Sequence, residues 1–218
     1  MQRHDATELD RIILRHLADR YTLTRKREGI HLSTLVYCLT RSYLDAHSED
    51  IMPTDEELML FALGLGLQNE LTPQSATTPV YQTAEGIIYS PDMTFEVESF
   101  RVELKTTRSG VKRYDEGELP ETWIEYIMGG CKMMGIKEYY LTRFHVSERP
   151  VPKLKSEVLK FEDSELDDNW YRLLDRKYIY ERAFEKNTPP TPFKYSKQWE
   201  CKNCRYYTIC TALSITGG

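Results

Sequence analysis

Three of the five cysteines fall within ten residues, CKNCRYYTIC, and a fourth, Cys38, stands far upstream in IHLSTLVYCLT. Cys201-x-x-Cys204 is a short metal-binding bite, and Cys210 adds a third thiolate. With Cys38 the set suits zinc or an iron–sulfur cluster. Zinc knuckles usually take two close pairs, whereas one remote cysteine and three clustered ones suit a four-iron cubane. Such a site constrains the whole chain, because it staples the C-terminal tail to the Cys38 helix, and its binding energy is folding energy. An odd cysteine count argues against a secreted disulfide scaffold. The N-terminal stretch MQRHDATELDR, which lacks a secretory apolar core, argues the same way. Cys131, in GGCKMMG, reads as a core residue.

The chain has 218 residues, enough for one domain with or without a small appendage. Hydrophobic residues at 40% and charged residues at 29% exclude the disordered and fibrous classes. No run reaches the roughly 20 apolar residues that cross a bilayer, so a cytoplasmic protein with no membrane partner is expected. The net charge of −5 excludes a wholly basic nucleic-acid coat but leaves room for a local basic groove.

Residues 8–20 read as an amphipathic helix with Leu9, Ile12, Ile13 and Leu17 on one side. Ser33 can cap a helix from Thr34 to about Leu44 that carries Cys38. Thr54 and Glu57 form a capping box for a helix reaching about Asn69, with close packing as the reason for Gly64 and Gly66. From Val80 the pattern turns to short β runs, GIIYS, MTFEVES and FRVELKT. RSGVKRYDEGELPE reads as a polar loop. A helix follows over 121–135, then a strand in KEYYLTRFHV and another around 157–161. Leu166, Trp170, Leu173, Lys177, Tyr180 and Phe184 trace a long helix that TPPTP ends. The tail from Phe193 reads as irregular. The division is therefore one domain: a helical part (1–78), a β core (79–161) and a C-terminal helix with the cysteine tail (162–218).

The β core carries the chemistry. Glu103 and Lys105 lie two apart on one strand and so share a face, and a hairpin from the preceding strand can bring Asp92 beside them. Val102 and Leu104 alternate against them, which predicts a half-buried strand. Two carboxylates and a lysine on one partly buried face are costly without a ligand. Asp92 and Glu103 supply hard oxygens suited to Mg²⁺ or Mn²⁺, with the Leu104 carbonyl as a further ligand. Lys105 is placed to orient or deprotonate water and to steady phosphate charge, a constellation for metal-assisted phosphodiester hydrolysis. The following TTRSGVKR puts Arg108, Lys112 and Arg113 nearby as phosphate-positioning cations.

The order Cys38, PD (Pro91-Asp92), ELK (Glu103-Leu104-Lys105), then Cys201-x-x-Cys204-x5-Cys210 resembles the RecB-like nucleases of the PD-(D/E)XK superfamily that carry an iron–sulfur staple. Within them it is most similar to the CRISPR-associated exonucleases. The resemblance spans about residues 30 to 212. It implies an α/β (α+β) fold with a restriction-endonuclease-like core, a mixed central sheet flanked by helices. It implies that Asp92 and Glu103 bind metal and that Lys105 is the catalytic lysine. It further implies His31 as a metal ligand ahead of the first cysteine, and Arg41 at a basic, DNA-contacting position. The expected activity is exonucleolytic cleavage of single-stranded DNA, often from the 5′ end. Prespacer trimming beside the CRISPR spacer integrase, or work with a helicase, is the implied setting. The sequence departs from the family in two places. Gln68 stands where a histidine ligand is expected, with Glu56, Glu57 and Glu70 nearby. YIMGGCKMMG replaces the family's Gln-x-x-x-Tyr motif, leaving Tyr126 and Lys132 as partial substitutes. These departures leave open an alternative, a DNA-binding accessory subunit of weak or no activity.

Overall fold

The computed structural model describes residues 7–22, 28–47, 52–202 and 204–216. The first six residues of the stretch read for an export signal lie outside them. Among the described residues the chain runs through α1 (Thr7–Thr22), β1 (Ile30–His31), α2 (Leu32–Val36), α3 (Leu39–His47) and α4 (Asp55–Leu71). It continues with β2 (Tyr81–Gln82), β3 (Ile87–Tyr89), β4 (Met93–Phe95), β5 (Phe100–Thr107), α5 (Val111–Asp115) and α6 (Glu121–Met134). Then come β6 (Glu138–His145), β7 (Lys153–Lys160), α7 (Asp163–Glu185), α8 (Gln198–Cys201) and α9 (Tyr207–Thr216). No helix among these is long and apolar enough to cross a membrane.

The main sheet has the order β4-β5-β6-β7. β5 and β6 are parallel, joined by the α6 crossover, and the outer pairs are antiparallel, so the sheet is mixed. A smaller sheet, β1-β3-β2, brings the strand before α2 parallel to β3. The central core draws on all parts of the chain, from Leu32, Leu35 and Leu39 through Tyr89, Ile127 and Tyr139 to Leu173, Tyr206 and Cys210. α6 packs closely here. A Cβ at Gly130 would lie 2.5 Å from the Tyr89 ring, so this position admits only glycine if Tyr89 is to stay beneath the helix. Cys131 is fully buried, as its apolar setting predicted.

Several elements differ from expectation. The helix expected over 34–44 is two helices: Tyr37 leaves the helical region with ψ −174°, His31 rather than Ser33 stands at the first N-cap, and Cys38 sits in the break. Long-range bonds outcompete the local pattern there. The Arg176 guanidinium donates to the carbonyls of Leu35 and Tyr37, and the Cys38 N–H donates to Glu200 Oε1 at 2.9 Å. β5 is not half-buried, because Glu103 is as buried as Val102 and Leu104 on the opposite face. The loop after β5 contains the one-turn helix α5, β7 begins before 157, and the tail holds α8 and α9. α1 meets α4 through Leu14, Leu17 and Ala18, leaving Leu9, Ile12 and Ile13 exposed. Gly64 and Gly66 have nothing within 4 Å of a Cβ position among the described residues, so packing against these does not explain them.

Candidate active site

Asp92 precedes β4, and the register Met93↔Val102 sets it across from Glu103 on β5. Its Oδ2 accepts from the Leu104 N–H at 2.8 Å, which fixes the carboxylate against the strand. Its Oδ1 accepts from Gln68 Nε2 at 2.9 Å. Gln68 comes from α4, whose start is secured by the capping box between Thr54 and Glu57 that the sequence predicted. Glu103 is buried, and its Oε1 lies 2.5 Å from Lys105 Nζ. Its Oε2 has no hydrogen-bond partner among the described residues. Burial pushes the Glu103 carboxyl up to about 8, with the Lys105 ammonium pulling down and the Asp92 charge pushing up. For Lys105, burial works against the charge, but Glu103, Tyr37 and Asp92 outweigh it and hold the ammonium above its ordinary value.

Tyrosines close the inner side of this pair. Lys105 Nζ lies 5.2 Å from the centre of the Tyr126 ring. Tyr126 meets Tyr89 edge-on at 5.5 Å, and the Tyr89 and Tyr139 hydroxyls are 2.5 Å apart. The phenol of Tyr37 is raised by burial and feels the charges of Lys105, Glu103, Glu200 and Asp92, which places it between this site and the tail. The outer side is an open cleft. It is lined by Asp92 with Glu103 to Lys105, by the run from Thr106 to Ser109, and by α4 from Leu60 to Gln68.

The predicted residues therefore divide. Asp92, Glu103, Leu104, Lys105 and Arg108 share one cleft. Lys112 and Arg113 stand on α5 beside it, the first 3.7 Å from Glu116 and the second donating to Ser109 Oγ at 3.4 Å. Tyr126 is a half-buried ring beside Lys105 and is not among the residues that line the cleft. Three residues stand elsewhere. His31 is not a cleft residue, and its Nε2 is 3.2 Å from the Glu28 carbonyl. Arg41 pairs with Glu57 at 2.7 Å beside the cysteines. Lys132 is drawn to Asp167 on α7. Gln68 had a sequence signal, its place after the glycines of α4. The tyrosine wall had none beyond abundance, since Tyr37, Tyr89, Tyr126 and Tyr139 come from four separate segments.

Cys38, Cys201, Cys204 and Cys210 line one small cavity with Arg41, Ser196 and Glu200. The Arg41 N–H donates to Cys38 Sγ at 3.4 Å, and Ser196 Oγ is 3.4 Å from Cys201 Sγ. Among the described residues no group of three His, Cys, Asp or Glu side chains is arranged to hold a single ion.

No family model matches the chain, and no curated protein resembles it in sequence. Two crystal structures share its fold. That of SSO0001 is 16% identical with a TM-score of 0.55, covering 94% of this chain and 97% of the other. That of an alkaline exonuclease, LHK-Exo from Laribacter hongkongensis, is 11% identical with a TM-score of 0.50, covering 78% of this chain and 95% of the exonuclease. The mixed sheet flanked by helices, as the sequence predicted, is thus a fold shared with an alkaline exonuclease.

Proposed function

We propose that this protein is a Mg²⁺- or Mn²⁺-dependent deoxyribonuclease whose site is Asp92, Glu103 and Lys105. The observation that carries the reading is Glu103, which lines an open cleft and has a buried carboxylate oxygen, Oε2, without a hydrogen bond among the described residues. Mg²⁺ is typically held by one or two carboxylates plus waters and substrate phosphate, so Asp92 and Glu103 fit it without a third acidic ligand. The bound ion would supply Lewis acidity and an activated water. Asp92 is held by the Leu104 N–H, and each of its oxygens, although it accepts one hydrogen bond, has a further lone pair for an ion. Lys105 steadies the phosphate charge and orients the water, while Arg108 at the rim positions the backbone.

The motif resemblance extends this to exonucleolytic action on single-stranded ends, in the 5′ to 3′ direction. It places the protein in prespacer trimming with a spacer integrase, or alongside a helicase. The test is degradation of single-stranded DNA, labelled at either end, with Mn²⁺. Loss in both Asp92→Ala and Glu103→Ala supports the assignment, and unchanged cleavage in both removes it. Gln68 favours a second reading, because its amide already occupies an Asp92 oxygen that a metal would use. Tight DNA binding with no cleavage under any divalent ion would select that accessory role.

The four-cysteine cavity is proposed to hold an iron–sulfur cluster, most simply four-iron. The four thiols line one cavity, and one remote cysteine with three clustered ones suits a multi-iron group better than one zinc ion. Iron and sulfide analysis after anaerobic purification tests it. Stoichiometric zinc in place of iron would overturn it.

A further inference from the structure

The α4 wall of the cleft is chemically unlike the rest of it. Leu60, Leu63 and Leu65 line the cleft at 49%, 38% and 40% exposure, although exposed leucines gain nothing by facing water. Gly64 stands among them, four residues before Gln68 and so on the same helical face. Glycine inside a helix is unfavourable, and among the described residues nothing lies within 4 Å of the space a Cβ would fill there. The lining that follows β5 is mostly polar, with Thr106, Thr107, Arg108 and Ser109 beside Val146, and Glu103, whose buried Oε2 has no hydrogen-bond partner among the described residues, lines the same cleft. One wall thus suits phosphates and the other suits apolar faces.

We propose that the α4 wall receives the unpaired bases of a DNA strand whose phosphates follow Thr106 to Ser109. Gly64 is the position that keeps the strand's path beside the metal site open. A duplex offers phosphates and groove edges but buries its base faces in the stack, so an apolar wall rewards only unpaired bases. From Leu60 to Gln68 the helix rises about 12 Å, room for more than one nucleotide. This rests on the nuclease reading for where the phosphates lie, but it makes a separate claim about binding. Gly66, also with open space at its Cβ position, does not line the cleft and serves as the control.

The experiment measures binding of fluorescein-labelled oligothymidylate by anisotropy in Ca²⁺, together with the melting temperature of each variant. Gly64→Ala and Gly66→Ala should each raise the melting temperature by about 2–4 °C through helix propensity. Gly64→Leu should weaken binding tenfold or more, and Gly66→Leu should leave it within twofold. Leu60→Glu, at an exposed site that folding tolerates, should weaken the same binding. A duplex with blunt ends should bind Gly64→Leu and parent within twofold. Parental affinity for oligothymidylate in both Gly64→Leu and Leu60→Glu overturns the proposal, as does failure of the parent to bind it. If Gly64→Leu loses binding while the parent never cleaves, the wall stands and the nuclease reading falls.

Discussion

Glu103 spends its existence in two conflicting settings. It is buried with one oxygen beside Lys105 and the other without a partner, and its carboxyl is pushed up to about 8. A group raised in the folded state contributes stability below its ordinary value of 4.5, and that contribution is lost as pH rises through about 8. In EDTA the protein should therefore lose stability between those limits, by up to about 1.4 kcal/mol per pH unit. Urea unfolding at successive pH values reads this, and Glu103→Gln should flatten the profile. Adding Mn²⁺ at pH 8 should restore stability in the parent and not in Glu103→Gln. Lys105→Ala should abolish cleavage and cost stability more at high pH than at low, because it leaves the carboxylate without its cation. Asp92, Glu103 and Lys105 were legible because strand parity and one hairpin suffice to join them. The tyrosines behind them were not, because nothing local links Tyr37 to Tyr126, and only the packing of α2 and α6 against the sheet does so.

α4 is the element on which the cleft depends, and little of it is buried beyond Glu57 and Leu58. It is held mainly at its ends. At the start, Glu57 receives Arg41 at 2.7 Å and Arg205 at 3.3 Å while also capping its own helix. At the other end Gln68 reaches Asp92. Breaking a buried pair on one side leaves charge uncompensated, so Glu57→Ala should cost about 3–5 kcal/mol in chemical denaturation. Gln68→Ala should cost far less stability and strengthen Mn²⁺ binding, because it frees the Asp92 oxygen that the amide holds while the Leu104 N–H still fixes the carboxylate, which isothermal titration can read. The capping box of α4 was legible because it is local in sequence. The break between α2 and α3 was not. A run from Ser33 to Leu44 satisfies helical periodicity, and only Arg176 and Glu200, both far along the chain, draw the backbone out of it.

At the scale of the whole molecule the tail is tied to the N-terminal helices by more than thiols. Tyr206 is fully buried and its hydroxyl donates to Asp45 at 2.8 Å. Arg205 bridges Asp45 and Glu57, and Thr40 donates to the Pro190 carbonyl at 3.0 Å. The staple inferred from cysteine spacing is thus joined by contacts that need no metal. Changing any one of Cys38, Cys201, Cys204 or Cys210 to serine should abolish the cluster's visible absorption while the tail resists limited proteolysis. Adding Arg205→Ala to such a variant should release it. Cys131 stands apart, with burial alone pushing its thiol up to about 12. It should stay unlabelled by iodoacetamide at pH 8 until the protein unfolds. The order of the cavity's four thiols along the chain also sets a clock. Synthesis proceeds at about 5–20 residues per second, so roughly 8–30 s separate Cys38 from Cys201. In that interval β3 to β7 and α6 have already left the ribosome with everything the cleft requires. The pocket around Cys38 cannot close until Cys210 follows, and with it Tyr206 of the central core, so whatever it holds arrives as the core itself is completed.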